Sequence, residues 1–240
     1  MMDVFCASGS KTCRYWALGA VVAVACAGVL AEGNPIDPYE GFNRPMFAVN
    51  EVVDKYAIKP VGQAYDYVTP LPVKAAVGNV FGNAGDLWIG LNSALQGKFG
   101  DAGFDFGRLL INSTVGIFGL FDVASELGLE KHDEDFGQTL AVWGADGGGY
   151  LFWPVIGPRN VRDTFGWGVD AYLDPVTRVR AVSVRNSMAA LRFVDIRASL
   201  LPADKVVEEA ALDKYAYIRD AYLQRRRNQI FDGRPPRLDD

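Results

Sequence analysis

The stretch DPYEGFNRPMFAVNEVVDKY, residues 37–56, decides the fold class of this chain. Its apolar side chains recur every three or four residues, at Phe42, Met46, Val49, Val53 and Tyr56. Because this spacing places the side chains along one face of an α-helix, the stretch predicts an amphipathic helix. We expect Pro60 to end this helix, and the prolines at positions 70 and 72 to mark a second break.

The rest of the chain continues the helical pattern. We predict helices over residues 73–95, 160–173, 176–199 and 204–231. Asp204 is expected to cap the last helix, whose apolar stripe comprises Val207, Ala211, Tyr215, Ile218 and Tyr222. Residues 139–143 fit either a short strand or the end of a helix. The sequence therefore predicts an all-α protein, with one helical domain over residues 37–231 and a disordered tail over residues 232–240.

The N-terminal region has the pattern of an export signal. Lys11 and Arg14 precede a ten-residue apolar run, which is too short to span a bilayer but has the length of a signal-peptide core. The run ends at Cys26, and the small residues before it resemble the lipidation motif of bacterial lipoproteins. We predict a signal peptide over residues 1–25, lipidation of Cys26 and a tether over residues 26–36. Ordinary secretory cleavage after Ala31 is the alternative.

Composition excludes several classes of function. The 240 residues carry a net charge of −5, which argues against binding nucleic acid through a basic surface. The chain has a single histidine, His132, so a histidine-rich metal site is excluded. His132 sits in a run of charged residues that is typical of a solvated loop. No nucleophile elbow or phosphate-binding loop is present. We predict no catalytic residues, no metal and no cofactor, although an enzyme that uses carboxylates and water is not excluded.

The apolar and aromatic content of the chain has two interpretations. Hydrophobic residues make up 50% of the sequence and glycine contributes 26 residues. Residues 103–123 are the most apolar part after the export signal, but Asp105, Arg108, Asn112 and Asp122 interrupt them, so a conventional membrane-spanning helix is not expected. Aromatic, glycine-rich helices are typical of membrane interfaces. Composition alone slightly favours the other interpretation, an ordinary helical core under a polar surface.

A series of sequence blocks resembles the MlaA/VacJ family of outer-membrane lipoproteins. The first block contributes Asp37, Pro38, Glu40, Phe42, Asn43 and Arg44. Further blocks follow in order: NVFGN at 79–83, LQGK at 95–98, RLLINSTVG at 108–116, DFGQTL at 135–140 and GGYLFWPVIGP at 148–158. No single block is decisive, but their number and order identify the family over residues 37–175.

The resemblance implies a function as well as a fold. Family members are ring-like bundles of amphipathic helices, partly embedded in the inner leaflet of the Gram-negative outer membrane and facing the periplasm. A central channel lets misplaced phospholipids leave the outer leaflet and pass to a periplasmic lipid-carrier protein. Family members also associate with trimeric porins. A porin-associated envelope scaffold without a lipid path is the alternative, and a lipid hydrolase is a weaker third hypothesis.

The same comparison suggests candidate site residues. We expect a loop beside the channel over residues 147–158, which include Gly147, Gly148, Gly149, Tyr150, Pro154, Gly157 and Pro158; a plain structural turn is the equal alternative. Arg108 and Asn112 are candidates to line the channel, and Arg108 and Asp122 should either face it or pair internally. Asn43 and Arg44 either fix the first helix against the ring or, as we favour, form a helix-cap network.

Overall fold

The computed structural model describes Asn34 and residues 36–237. Ten α-helices lie in this part: α1 (Glu40–Val53), α2 (Lys59–Val68), α3 (Leu71–Leu95), α4 (Phe99–Thr114), α5 (Val123–Glu126), α6 (Phe136–Val142), α7 (Val161–Leu173), α8 (Val182–Ser199), α9 (Leu201–Ala210) and α10 (Lys214–Ile230). One small sheet, formed by β1 (Tyr150–Trp153) and β2 (Gly157–Asn160), interrupts them. The predicted all-α class is confirmed. The predicted signal peptide, Cys26 and most of the tether lie outside the described residues.

The first helix does not end at Pro60 as predicted. A π-helical turn, Asp54–Ile58, joins α1 to α2, and the Lys59 N–H bonds to the Asp54 carbonyl five residues back. Because this wider turn shifts the hydrogen-bonding pattern just before Pro60, the proline lies in the first turn of α2. At that position its missing N–H costs little. The predicted stripe splits accordingly: Met46 packs on the core, whereas Tyr56 is exposed.

Helices α3 and α4 form an antiparallel hairpin that is polar on its inner side. The predicted end of α3 at residue 95 is confirmed, since Gly97 adopts a φ of +82° and the Lys98 N–H bonds to the Ser93 carbonyl at 2.9 Å. Gly90 lets the helices approach, because a Cβ there would lie 3.0 Å from the Phe106 ring. The short stretch at residues 139–143 belongs to α6 and its end, which confirms the helical alternative.

The C-terminal third differs from its predicted helices. The helix predicted over 176–199 begins only at Val182, after a 3-10 turn at Pro175–Arg178 and an extended link. The helix predicted over 204–231 is two helices, α9 and α10. Asp204 does not cap a helix; it lies inside α9 and accepts from Arg197 at 2.8 Å. The cap of α10 is Asp213, whose carboxylate accepts from the backbone of Tyr215 and Ala216.

The distribution of apolar residues is the reverse of that in a typical soluble protein. Among the described residues, eight hydrophobic residues are buried, against sixteen polar or charged ones, and forty large hydrophobic residues are exposed. The compact apolar cluster is small, with Tyr150, Phe152 and Tyr215 at its centre. Polar groups buried in this number require partners inside the fold. In the part of the chain that the structure describes, no helix combines the length and apolar character needed to cross a bilayer.

Candidate functional site

The predicted loop at residues 147–158 is mostly a β-hairpin. Tyr150 pairs with Asn160 and Trp153 with Gly157 in an antiparallel register, so only the tip around Pro154 is a turn. The sequence did not predict these strands, because the YLFW run has no alternating polar residues to mark a pleated surface. Gly157 (φ +91°) and Val155 (φ +69°) provide the reversal at the tip.

Two asparagine side chains of α1 hold this hairpin by hydrogen bonds. The fully buried Asn43 amide donates to the Tyr150 carbonyl at 3.0 Å, and its Oδ1 accepts from the Phe152 N–H at 2.8 Å. Asn50, two turns further along α1, accepts from the Val155 N–H at 2.8 Å. Side chains of α1 therefore replace the partners that an isolated two-stranded ribbon lacks.

Asn43 and Arg44 do not form the helix-cap network that we favoured. Tyr39 occupies the N-cap of α1 without a side-chain hydrogen bond. Asn43 instead donates to Asp37 at 2.8 Å, and Arg44 bonds to Glu40 and to Asp213, the cap of α10. Both side chains thus fix the first helix against distant parts of the fold, which was the alternative hypothesis for these residues.

Close packing at the hairpin root explains the remaining residues of the first block. A Cβ on Gly149 would lie 2.4 Å from the Tyr39 ring and 2.9 Å from Cγ of Pro38. Phe42 meets the Trp153 ring edge-on at 6.4 Å. Gly148 adopts a φ of +66°, and a Cβ on Gly147 would press on Asn160 at 3.1 Å. Gly149 is therefore needed for the close approach of the N-terminal segment, and Gly147 for that of Asn160.

The last helix contributes a row of alternating aromatic and basic side chains to the same interior. Tyr215, Arg219, Tyr222 and Arg226 follow one another at spacings of four, three and four residues, on one face of α10. Tyr215 donates to Asp37, and Tyr222 donates to Asp163 at 2.6 Å. Burial and the neighbouring Asp163 carboxylate raise the pKa of Tyr222, which keeps its hydroxyl a donor.

Arg226 is the hub of this row. Its two Nη atoms donate to both oxygens of Asp135 at 2.6 and 2.7 Å, and Nη2 also donates to Asp163 at 2.9 Å. Asp135 in turn caps α6. Burial alone would raise the pKa of Asp135, but the Arg226 hydrogen bonds lower it overall. The arginine therefore joins α6, α7 and α10 at one buried point.

Arg108 and Asn112 lie in a second buried network and pair internally. Arg108 donates from Nη2 to both oxygens of Asp122 at 3.0 and 2.9 Å, and from Nη1 to the Leu129 carbonyl at 2.7 Å. Asn112 donates to Asp122 at 2.9 Å. Burial opposes ionisation of Asp122, but hydrogen bonds from Ser125, Asn112 and Arg108 hold its pKa well below the usual range. Of the two alternatives for Arg108 and Asp122, internal pairing is therefore the one observed.

Asp86 carries a buried charge on the neighbouring face of α3. Its carboxylate lies 3.1 Å from Lys131 Nζ and 3.6 Å from Arg108 Nε. Burial raises its pKa in spite of these cations. On α7, burial likewise raises the pKa of Asp170 to about 6, although the Trp88 indole donates to it. Buried carboxylates held by so few donors make the interior strongly polar.

The single histidine lies beside a buried carboxylate. His132 Nδ1 lies 3.1 Å from Asp105 Oδ1, and Ser93 Oγ donates to the other oxygen of the same carboxylate at 3.2 Å. A serine nucleophile needs the imidazole as its neighbour, whereas Ser93 contacts the carboxylate instead. Within the described residues, no group of three or more His, Cys, Asp or Glu side chains is placed to bind a metal.

A cleft of about 640 Å³ opens between the π-helical turn and the C-terminal helices. Charged and apolar side chains line it together, among them Glu51, Lys55, Lys59, Glu208 and Lys214 with Val52, Tyr56, Val207 and Ile218. Lys59 is neutralised by Asp204 and Glu208 at 3.2 and 3.1 Å, whereas Lys55 lies over the Tyr56 ring. This mixed lining suits an amphipathic molecule.

A family model for the MlaA lipoprotein matches residues 35–229. The chain belongs to the MlaA family. The intermembrane phospholipid transport system lipoprotein MlaA of Escherichia coli (strain K12) is 32% identical over 215 residues, which cover 87% of this chain and 84% of that protein. An uncharacterized protein of Rickettsia bellii (strain RML369-C) is 35% identical over 195 residues, covering 81% and 76%.

A solved structure supports the same assignment. It comes from work on the structural basis for maintenance of bacterial outer membrane lipid asymmetry, and it superposes with a TM-score of 0.71 at 29% identity. The match covers 82% of this MlaA-family chain and 99% of the other. The sequence-based family assignment is therefore confirmed.

Sequence reasoning missed the role of α10. It assigned Tyr215 and Tyr222 to an apolar stripe and did not predict that Arg226 is buried. The signal was present, since Arg219 and Arg226 share the spacing of the tyrosines. A search for apolar residues alone passes over arginines, although an arginine on a helix face that is otherwise apolar indicates a buried partner.

Proposed function

We propose that this protein is the outer-membrane component of a phospholipid trafficking system. It removes misplaced phospholipids from the outer leaflet and passes them to a periplasmic lipid-carrier protein, which preserves the lipid asymmetry of the membrane. The observation that carries this proposal is the burial of charged side chains beneath exposed apolar ones, in a chain whose family relatives are named for intermembrane phospholipid transport.

The physical argument concerns the two ends of a phospholipid. Moving a head group through hydrocarbon is costly, so a conduit must offer polar groups along its path. Acyl tails require only apolar surroundings, which the exposed side chains of the helices and the surrounding lipid supply. Such transfer breaks no covalent bond, and it needs no catalytic residue. The cleft beside Lys55 and Tyr56 is the part of the structure that we assign to the lipid.

The N-terminal sequence supports a proposal for how the protein is attached to the membrane. We propose that lipidated Cys26 anchors it to the inner leaflet of the outer membrane, on the periplasmic face of a Gram-negative cell, and that a trimeric porin is its membrane partner. Mass spectrometry of the mature N-terminus decides the first point. A mass for acylated Cys26 supports the anchor, whereas a chain that begins at residue 32 points to cleavage after Ala31.

The hairpin supplies a test that separates transport from a scaffold role. We propose that residues 147–158 lie beside the lipid path, and Val155 is exposed at the tip. Its positive φ tolerates aspartate, so Val155→Asp should fold. We expect this variant to fail to restore the detergent barrier of a deletion strain while still co-purifying with the porin. Val206→Asp, exposed on α9, is the matched control and should complement.

The opposite pattern would favour the alternative. If Val155→Asp restores the barrier but no longer co-purifies with the porin, a porin-associated scaffold explains the protein better. A deletion strain whose barrier is unchanged would contradict the proposed function itself.

A further inference from the structure

The turn between α4 and α5, residues 115–121 with the sequence VGIFGLF, exposes a dense apolar surface. We call it the apolar turn. Phe118 is 83% exposed and Phe121 60% exposed, and the other exposed large side chains are Val115, Ile117 and Leu120. The seven residues include no charged or polar side chain. A patch of this kind in so few residues usually marks a contact with a protein or a membrane.

The backbone holds this surface outward at a conformational cost. Ile117 and Phe118 adopt φ values of +53° and +57°, in a region that bulky and β-branched side chains rarely occupy. Gly116 and Gly119 pack so closely that neither position has room for a side chain. A Cβ on Gly116 would lie 2.2 Å from the Phe121 carbonyl oxygen, and one on Gly119 would lie 2.8 Å from Asn83. The exposure is therefore built into the fold.

Most backbone N–H groups of the turn are bonded internally. Six of its seven N–H groups bond to carbonyls of α4 or of the turn itself. Asn79 donates to the Leu120 carbonyl at 3.2 Å, and the Thr114 hydroxyl donates to the Leu110 carbonyl at 2.7 Å. Backbone that enters hydrocarbon must find its partners within the protein, and most donors of this turn do so.

The charged residue next to the turn is also paired within the fold. Asp122 follows Phe121 directly, but Arg108 and Asn112 bind its carboxylate on the inner side of α4. The cost of bringing a charge close to hydrocarbon is thereby reduced.

We infer that the apolar turn inserts Phe118 and Phe121 into the acyl region of a phospholipid bilayer, as an attachment point separate from Cys26. A lipid partner is favoured over a protein partner because the turn offers no polar side chain and almost no free backbone donor, whereas protein interfaces have a polar rim. The inference rests on the proposed function in one respect, since it specifies where the protein enters its membrane.

Depth-dependent fluorescence quenching tests this insertion locally. The full chain with Phe118→Trp is bound to vesicles of phosphatidylethanolamine and phosphatidylglycerol that carry bromine on the acyl chains. Leu212→Trp is the matched control, because Leu212 is fully exposed next to Asp213 in the link between α9 and α10. The native tryptophans contribute equally to both. We expect the tryptophan at 118 to be quenched more strongly than that at 212.

A second variant measures the contribution to binding. Phe118→Asp keeps the fold, because aspartate tolerates a positive φ better than phenylalanine. In a chain with Cys26→Ala, which removes the acyl anchor, it should weaken partitioning into the same vesicles by roughly tenfold, the scale expected for one large apolar side chain. Leu212→Asp should leave partitioning unchanged.

Two results would overturn the inference. One is equal quenching at positions 118 and 212, or partitioning unaffected by Phe118→Asp. The other is a turn that cross-links to a second copy of the chain and escapes quenching, which would make it a contact between protomers. Neither result bears on the detergent barrier of the deletion strain, so failure of this inference and failure of the proposed function remain distinguishable.

Discussion

The hydroxyl of Tyr215 donates a hydrogen bond to Oδ2 of Asp37, joining two buried residues that lie 178 positions apart. Burial raises the pKa of Tyr215, and its bond to Asp37 raises it further, so the phenol remains a donor. Asp37 also accepts from Asn43, which holds the hairpin. One carboxylate thus connects the N-terminal segment, the hairpin and the last helix.

Asn43 is expected to be essential for the hairpin. Asn43→Ala leaves the Tyr150 carbonyl and the Phe152 N–H buried without their partner, which should lower the free energy of unfolding by about 2–4 kcal/mol. Asn50→Ala is the control, because it removes one hydrogen bond near the exposed tip and should cost about 1 kcal/mol or less. Chemical denaturation in detergent measures both. Equal losses would show that the hairpin is not held at its root.

Arg226 should matter far more than its neighbour Arg225. Arg226→Met removes one of the two cations that pair with the buried Asp163, and it removes the cation of the half-buried Asp135, so we expect a loss of about 3 kcal/mol. Arg225 forms an exposed pair with Asp133 at 3.2 Å, and Arg225→Met should cost less than about 1 kcal/mol. Thermal unfolding of the two variants tests the contrast. A stable Arg226→Met protein would contradict the role of this arginine as a hub.

Two glycines of α7 should respond to alanine in opposite ways. A Cβ on Gly166 would lie 2.5 Å from the Gly137 nitrogen, so Gly166→Ala must push α6 and α7 apart and should destabilise the protein. A Cβ on Gly168 meets nothing within 4 Å, and Gly168→Ala should stabilise its helix by about 0.5–1 kcal/mol. The sign of the change in melting temperature is the measurement. The same sign for both would refute the close approach.

Asp170 should make stability depend on pH in the direction opposite to most carboxylates. Its pKa is raised from 3.8 to about 6 by burial, so the folded state favours the protonated form. The stabilising contribution is complete below pH 3.8 and is lost as the pH rises through about 6. Relative to Asp170→Asn, the wild type should therefore lose urea resistance as the pH rises from 3.8 to about 6. The exposed Asp220→Asn serves as control and should leave the profile unchanged.

The sequence predicted most helices because their patterns are local. Residues 71–95 carry enough apolar periodicity and a glycine stop, and the observed helix matches the prediction within two residues. At Pro60 the outcome depended on a π-helical turn that no propensity rule specifies. At residues 211–213 the helix breaks because Asp213 caps the next helix. The predicted cap, Asp204, bonds instead to Arg197, which is a tertiary contact.

The site was less predictable than the helices. The family blocks located Asp37, Asn43 and the hairpin region, but the pattern could not show that Asn43 bonds to strands more than a hundred residues away. Arg108 and Asp122 were correctly expected to avoid lipid, and only the structure shows that they pair with each other. Long-range polar contacts of this kind leave no periodic signal in a single sequence.

The central claim, transfer of phospholipid from the outer leaflet, is tested most directly by measuring phospholipid at the cell surface. A strain lacking the gene is treated with a phospholipase that cannot cross the outer membrane, with and without the wild-type chain supplied in trans. The account predicts abundant cleavable surface phospholipid in the deletion strain and its loss on complementation. Equal amounts in the two strains would contradict it.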